Sequence, residues 1–409
     1  MSSSWNNPSR TVTAALAAVV ATAITVGVAA VPAAPEAAAS VDTTRSSSTC
    51  AALPNLLVLR PSTATLPGGV RLSVRQSPVG TSPWAWRRLV IAEVPPGAPA
   101  RFGVVGAAGL TRAATPESLA ATAPRGVVAV NATVFDPSRG ALPYAADLAG
   151  GHLRRLSATP EDVIGVDTAG HAWPTTVALV GAATVQGRSV PLAGLNVSPT
   201  PNGLGVYTSE WGPQSRPSTS VAVIVRGGIV ERTVTGAAAA SSVPADRTVL
   251  ASSGASTVAW LRTLRVGTPV NLSLRAVTGR NAAGHILVSA AAHSGYLIYN
   301  GAPRESCIGR AGLLRPRTAV GWRADGTVVV VTLQGMVPLY GARWGGATAK
   351  QLVELMVALG CREAVSLDGG GSTTFVARSN LTGRWARWDR ANGNDMQRPV
   401  PNALVISAA

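Results

Sequence analysis

The chain is 409 residues long, 46% of them hydrophobic, and its 35 Lys+Arg against 19 Asp+Glu give a formal charge of +16. That length buries a sizeable core without disulfide or metal staples. The basic excess is almost wholly arginine, with Lys350 the only lysine, and it is spread along the chain rather than gathered into a patch, which argues against nucleic-acid binding and points to the coding bias of a GC-rich genome.

In chain order, Arg10 precedes an apolar run from Val12 to Val31 and an Ala/Pro stretch ending at Ala39-Ser40, which reads as a secretory signal over residues 1–39. Cleavage after Ala39 or Ala34 satisfies the small-x-small rule. The Ala- and Thr-rich run is too weakly hydrophobic for a permanent anchor, so the expected product is secreted or held in the cell envelope, with no stable membrane insertion after cleavage. An uncleaved tether is the alternative. Residues 40–124 read as a Ser/Thr linker, Thr43 to Thr49, followed by short strands broken by Pro and Gly. Gly126 to Val130 is a compact buried-strand pattern ending at Asn131, with a turn at Phe135-Asp136-Pro137. Val-rich runs then alternate with turn residues to about residue 310, as in Ser220–Val225 before Arg226-Gly227-Gly228.

The last hundred residues are the most legible. Thr318–Arg323 and Thr327–Leu333 read as a hairpin joined at Asp325-Gly326, a dipeptide suited to positive φ. Ala347–Leu359 places Leu352, Leu355, Met356 and Leu359 at helical spacing, with Thr348 as a cap and Gly360 as the stop. Strands follow at Ala364–Leu367, Thr373–Ala377 and Asn402–Ser407. The expected fold is α+β, a β-rich mixed sheet with a few helices, its main domain spanning residues 125–407. Of three cysteines, Cys307 and Cys361 are the favoured disulfide, worth roughly 3 to 4 kcal/mol in the chain-entropy model, with Cys50 as a rival end.

Three glycines between Asp368 and Ser372 can turn several backbone N–H groups into one space, which suits a phosphate or another oxyanion, though a plain hydrogen-bonded turn has the same sequence. Arg317, at the start of the hairpin, could fork two hydrogen bonds onto a phosphate. Asn131 ends the early buried strand. His152, His171, His285 and His293 lack metal-ligand spacing with nearby carboxylates, so no metal or cofactor is expected. Trp385 and Trp388 could stack on a sugar or simply pack the last loop.

Together these motifs resemble the phosphodiester glycosidases related to N-acetylglucosamine-1-phosphodiester α-N-acetylglucosaminidase. Leu367–Thr374 is similar to the family's L-D-G-G-G-S-T-T, Pro316–Gly321 to its P-R-T-A-V-G, and Arg398–Leu404 to its R-P-V-x-N-A-L. Departures are Ala132-Thr133 inside the usual N-G-G-F-F, Gln334-Gly335-Met336 for D-G-R, Ser366 for Asn, Gln397 for Glu and Arg315 for His. They are read as a shifted substrate, against lost catalysis or neutral drift.

The resemblance implies cleavage of a sugar-1-phosphodiester on a phosphorylated sugar or glycan. Asp368 would act at the anomeric carbon, and Arg317 with the amides of Gly369, Gly370 and Gly371 would hold the phosphate. Thr318, beside Arg317, and Asn131, Ser372, Arg398 and Asn402 would bind substrate or support the loop. The alternative is a non-catalytic envelope module that binds phosphorylated glycans at the same place.

Overall fold

The computed structural model describes residues 56–77, 87–198, 202–304, 312–335, 345–380, 382–389 and 397–409. The signal at residues 1–39, Cys50, Cys307 and Met336 lie outside them. The described residues are mostly strand, with three α-helices: α1 (Pro116–Thr122), α2 (Ala255–Thr263) and α3 (Ala349–Ala358). None is long and apolar enough to cross a membrane.

The hairpin forms as its sequence demands. Strands Arg317–Arg323 and Val328–Gly335 pair antiparallel, Asp325 accepts from the Thr327 amide at 2.9 Å, and Gly326 takes a φ of 87°. Both faces of Val328–Gly335 are buried, and its period of two divides them: Val329, Val331 and Leu333 pack towards α3, whereas Val328 and Val330 face the core shared with a second sheet. That sheet has five strands, with Gly126–Asn131 at its centre between Phe375–Arg378 and Asn402–Ala408. Its outer face carries Ala129, Val376, Ala403 and Val405 against Leu119 and Ala120 of α1. The order of layers is therefore α3, an eight-stranded sheet, the five-stranded sheet and α1. An eleven-stranded sheet joins the same core through Ile164, Val166 and Ala291 and encloses its own core with Val258, Trp260 and Leu261 of α2. Among the described residues the sheets are mixed only through one parallel pair, Arg188–Leu195 with Leu204–Thr208.

Residues on either side of position 125 share these sheets. Arg87–Val94 pairs along the whole of Val328–Gly335, and Ala100–Gly106 along the whole of Asn402–Ala408, so the boundary drawn at residue 125 falls inside a common core.

The expected disulfide partner of Cys361, Cys307, lies outside the described residues, as does Cys50. The Cys361 thiol, unbridged among the described residues, is buried against Met356 and Gly321 in the α3 layer, where burial raises its pKa to about 12. It therefore acts as a small apolar core residue. The capping box of α3, Thr348 with Gln351, is formed in both directions at 3.1 and 3.0 Å. Thr348→Ala is expected to cost about 1 kcal/mol in urea denaturation.

Candidate functional site

Strand Cys361–Ser366 belongs to the eight-stranded sheet and Phe375–Arg378 to the five-stranded sheet, so the glycine turn between them must cross from one layer to the other. Asn131, fully buried at the end of its strand, clasps this crossing. Its Nδ2 donates to the Asp368 carbonyl at 2.7 Å, and its Oδ1 accepts from the Thr318 hydroxyl at 2.9 Å and the Thr374 amide at 3.1 Å. The Asp368 amide donates to the Ala132 carbonyl at 2.9 Å. Thr318, Ser372 and Asn402 are likewise fully buried, and Asn402 accepts from the Thr133 amide at 2.9 Å. These four side chains brace the turn from behind. None offers surface to a ligand, which corrects the expectation that they bind substrate and leaves them the supporting role.

The glycines are also partly committed. The Gly369 amide donates to Asp368 Oδ1 at 2.9 Å and the Gly370 amide to the Pro316 carbonyl at 2.8 Å. An oxyanion nest of all three amides is therefore not formed, and of the three it is the Gly371 amide that finds no acceptor among the described residues. Two of the glycines have a steric reason to be there: Gly370 takes a φ of +64°, and a Cβ on Gly369 would meet the Pro316 carbonyl at 2.9 Å, whereas one on Gly371 would make only ordinary contact with Arg398 at 3.7 Å.

Asp368 is half-buried, and its pKa is raised by that burial against the opposing pull of the Ser372 hydroxyl, the Gly369 amide and the Arg398 charge. Arg398 is exposed. It lies over the Phe135 ring at 5.0 Å, and its Nη1 reaches Ser372 Oγ at 3.4 Å. Ser372 thus touches both the carboxylate and the guanidinium. Arg317 runs beside the turn, its Cδ 3.9 Å from where a Gly369 Cβ would stand, but its guanidinium is anchored to backbone carbonyls, Nε to Ala347 at 2.9 Å and Nη2 to Leu313 at 3.0 Å. Burial lowers its pKa, and neighbouring Arg315, which is exposed, adds to that. The site therefore presents one half-buried carboxylate and three arginines, of which Arg398 and Arg315 are the exposed ones.

The departures from the family pattern now have surroundings. Gln334 donates through Nε2 to Asp389 and to the Thr373 carbonyl, and the buried Asp389 also accepts from the Phe375 amide and from Arg387 Nε and Nη2, each at 3.0 Å. A carboxylate at position 334 would face Asp389 with no donor, so the amide is the residue this network accommodates. Gln397 exchanges two hydrogen bonds with Glu117 at the start of α1 and serves packing. The Ser366 hydroxyl bonds the Leu367 carbonyl at 3.2 Å. Ser294 reaches the Ser366 and Leu367 carbonyls at 2.8 and 3.0 Å, bringing His293 beside the turn; burial first, then Arg280, lowers the His293 pKa to about 3, so the imidazole is neutral. Trp388 packs on the central core and Trp385 on the α1 layer, which favours their packing role.

Two groupings escape the sequence. Asp389 with Arg387 and Gln334 is assembled across 55 residues. The other corrects the expectation about histidines: His171 and His285 both place Nδ1 on Asp167 Oδ2, at 3.1 and 2.8 Å, away from the glycine turn. The pattern Asp-x-x-x-His at 167–171 was a partial signal; the third member stands 118 residues on.

Residues 219–407 match the family model described as phosphodiester glycosidase. A 92-residue stretch is 33% identical to the SPbeta prophage-derived uncharacterized protein YomE of Bacillus subtilis (strain 168), covering 22% of this chain and only 13% of that protein. A solved structure of a hypothetical protein from Synechocystis superposes with a TM-score of 0.66 at 19% identity over 86% of this chain and 64% of its own, just under two thirds. A putative exported protein from Burkholderia pseudomallei does so with a TM-score of 0.58 at 20% identity, over 78% of this chain and 74% of its own. At these identities the likeness is one of fold.

Proposed function

We propose that this chain, whose residues 219–407 belong with the phosphodiester glycosidases, hydrolyses the bond between the anomeric carbon of a sugar and a phosphodiester at the Asp368 turn. The observation that carries the reading is the pairing of Asp368 with the exposed Arg398 across Ser372, on the side of the turn where Gly371 carries no side chain. Phosphate leaves readily, so the reaction depends less on a strong acid than on cations that hold the departing oxygens. Arg398, supported by Arg315 and the Gly371 amide, provides that corner. Water attacks the anomeric carbon, its proton passes to the Asp368 carboxylate, and the electron pair of the breaking C–O bond leaves with the phosphate. The diffuse positive charge draws anionic substrates to the surface. The apolar run at 12–31 supports a substrate outside the cytoplasm, on a phosphorylated envelope glycan or sugar.

The test is release of sugar from a panel of sugar-1-phosphodiesters by the mature chain beside its Asp368→Asn variant. Turnover in the parent and its loss in the variant support the glycosidase. Saturable binding with no turnover would instead support a glycan-binding module, a reading favoured by the committed amides of Gly369 and Gly370.

The two arginines should separate. Arg398→Ala removes an exposed phosphate partner and should lower kcat/KM by about ten- to a hundredfold, the range of one charge-assisted hydrogen bond, with little change in melting temperature. Arg317→Ala removes the tie between the 313 and 347 carbonyls and should lower the melting temperature as well as the rate.

A further inference from the structure

We propose that Asp167, His171 and His285 form a site for a divalent transition-metal ion, zinc foremost, that fastens the turn at 167–171 to the loop before strand Leu287–Ala292. This site is independent of the hydrolytic reading. Asp167 and Asp162 lie five residues apart on one strand, and it is the Asp162 end that meets the His293 segment, so the metal site stands roughly 17 Å further along.

The donor atoms already converge on one point. One carboxylate oxygen, Asp167 Oδ1, is taken by the His171 amide at 2.8 Å, which leaves Oδ2 aimed at both imidazole Nδ1 atoms, at 3.1 and 2.8 Å. All three donor atoms lie within 4.8 Å of one another. Ligands around tetrahedral zinc, with bonds of about 2.0–2.1 Å, stand about 3.3 Å apart, so each imidazole need move only a few tenths of an ångström from the shared carboxylate oxygen, while the two imidazoles close on one another from within 4.8 Å. The positions are held from outside the trio as well. His285 stacks on Trp173 with ring centroids 4.3 Å apart, the Gly170 carbonyl accepts from the Phe102 amide at 2.8 Å, and the Ala172 carbonyl accepts from the Trp322 indole at 2.7 Å.

Charge and access fit the same ligand. The Asp167 side chain is only 6% exposed, and its ion-pair partners among the described residues are the two histidines alone. A nearly buried carboxylate thus faces two nitrogens that can either donate protons to it or share a cation with it. The His171 side chain is 70% exposed, which opens a path to solvent and room for water as a fourth ligand. Two imidazoles and one carboxylate suit zinc better than the oxygen-seeking calcium and magnesium, and the absence of thiolate from the trio disfavours copper(I).

Chelator-treated mature chain, titrated with zinc chloride by isothermal calorimetry, should bind one ion per chain with a micromolar or lower Kd and melt at a higher temperature when loaded. His171→Gln and His285→Gln should each weaken binding at least tenfold while keeping the parent's circular dichroism; His171 is exposed enough that its replacement leaves the fold in place. No saturable binding up to about a hundred times micromolar zinc, or unchanged affinity in the His171 variant, would overturn the site.

Discussion

Asp368→Asn is expected to lower sugar release by about three orders of magnitude, within the range for a positioned proton-transfer group, while melting no lower than the parent at neutral pH. The two halves of this expectation share a cause. Burial raises the Asp368 pKa, so folding favours the protonated carboxyl over the carboxylate. A raised carboxyl pKa gives a stability contribution that is present below the unfolded pKa and lost as pH rises through the folded one. Wherever the carboxylate is ionised, the folded chain therefore holds it at some expense, and a neutral amide relieves it. The amide can still accept from Gly369. The same raised pKa places the acidic limb of the rate profile above the ordinary carboxylate range, because the form that accepts the proton of water disappears as Asp368 is protonated. The profile of kcat/KM against pH checks this directly. A variant that unfolds would show instead that Asp368 is a structural part of the turn, and one with full activity would remove it from the mechanism.

What could be read from the sequence was whatever is written in consecutive residues. Asp325-Gly326 fixes a hairpin because the turn needs positive φ and a side-chain acceptor, both supplied within four positions. Thr348, Gln351 and Gly360 mark the start and stop of α3 because caps act within one turn of helix. The glycine turn was legible as a place of chemistry, but not the disposition of its amides: Gly370 bonds the Pro316 carbonyl, a partner that only the pairing of distant strands supplies. The same reason hid the Asp389 network and the meeting of His171 with His285. Cys361 had no local signal that it would turn inward against Met356. Asn131, Thr318, Ser372 and Asn402 were found as members of the site, yet their burial, which makes them braces, depends on the layer that closes over them.

Asn131→Ala should be the most destabilising single change at the site, at about 3 to 5 kcal/mol. Its amide makes three hydrogen bonds in a fully buried position, joining the strand at 126–131, the hairpin strand at 317–323 and both sides of the glycine turn. Truncation leaves the Thr374 amide and the Asp368 carbonyl without that partner, and each unsatisfied buried group costs about 1–3 kcal/mol, with a side-chain-sized cavity besides. Thr318 suffers less, since its hydroxyl retains Thr373 Oγ1 at 3.4 Å. Asn131→Asp is no remedy: it keeps the acceptor for Thr374 but loses the donor to Asp368 and sets a buried charge against that carbonyl. Urea denaturation should show a lower midpoint with an unchanged slope for Asn131→Ala. Activity should fall through kcat, because a loosened crossing no longer holds Asp368 opposite Arg398. If stability stays within about half a kcal/mol of the parent while only KM rises, Asn131 contacts substrate after all and the clasp must lie elsewhere in the turn.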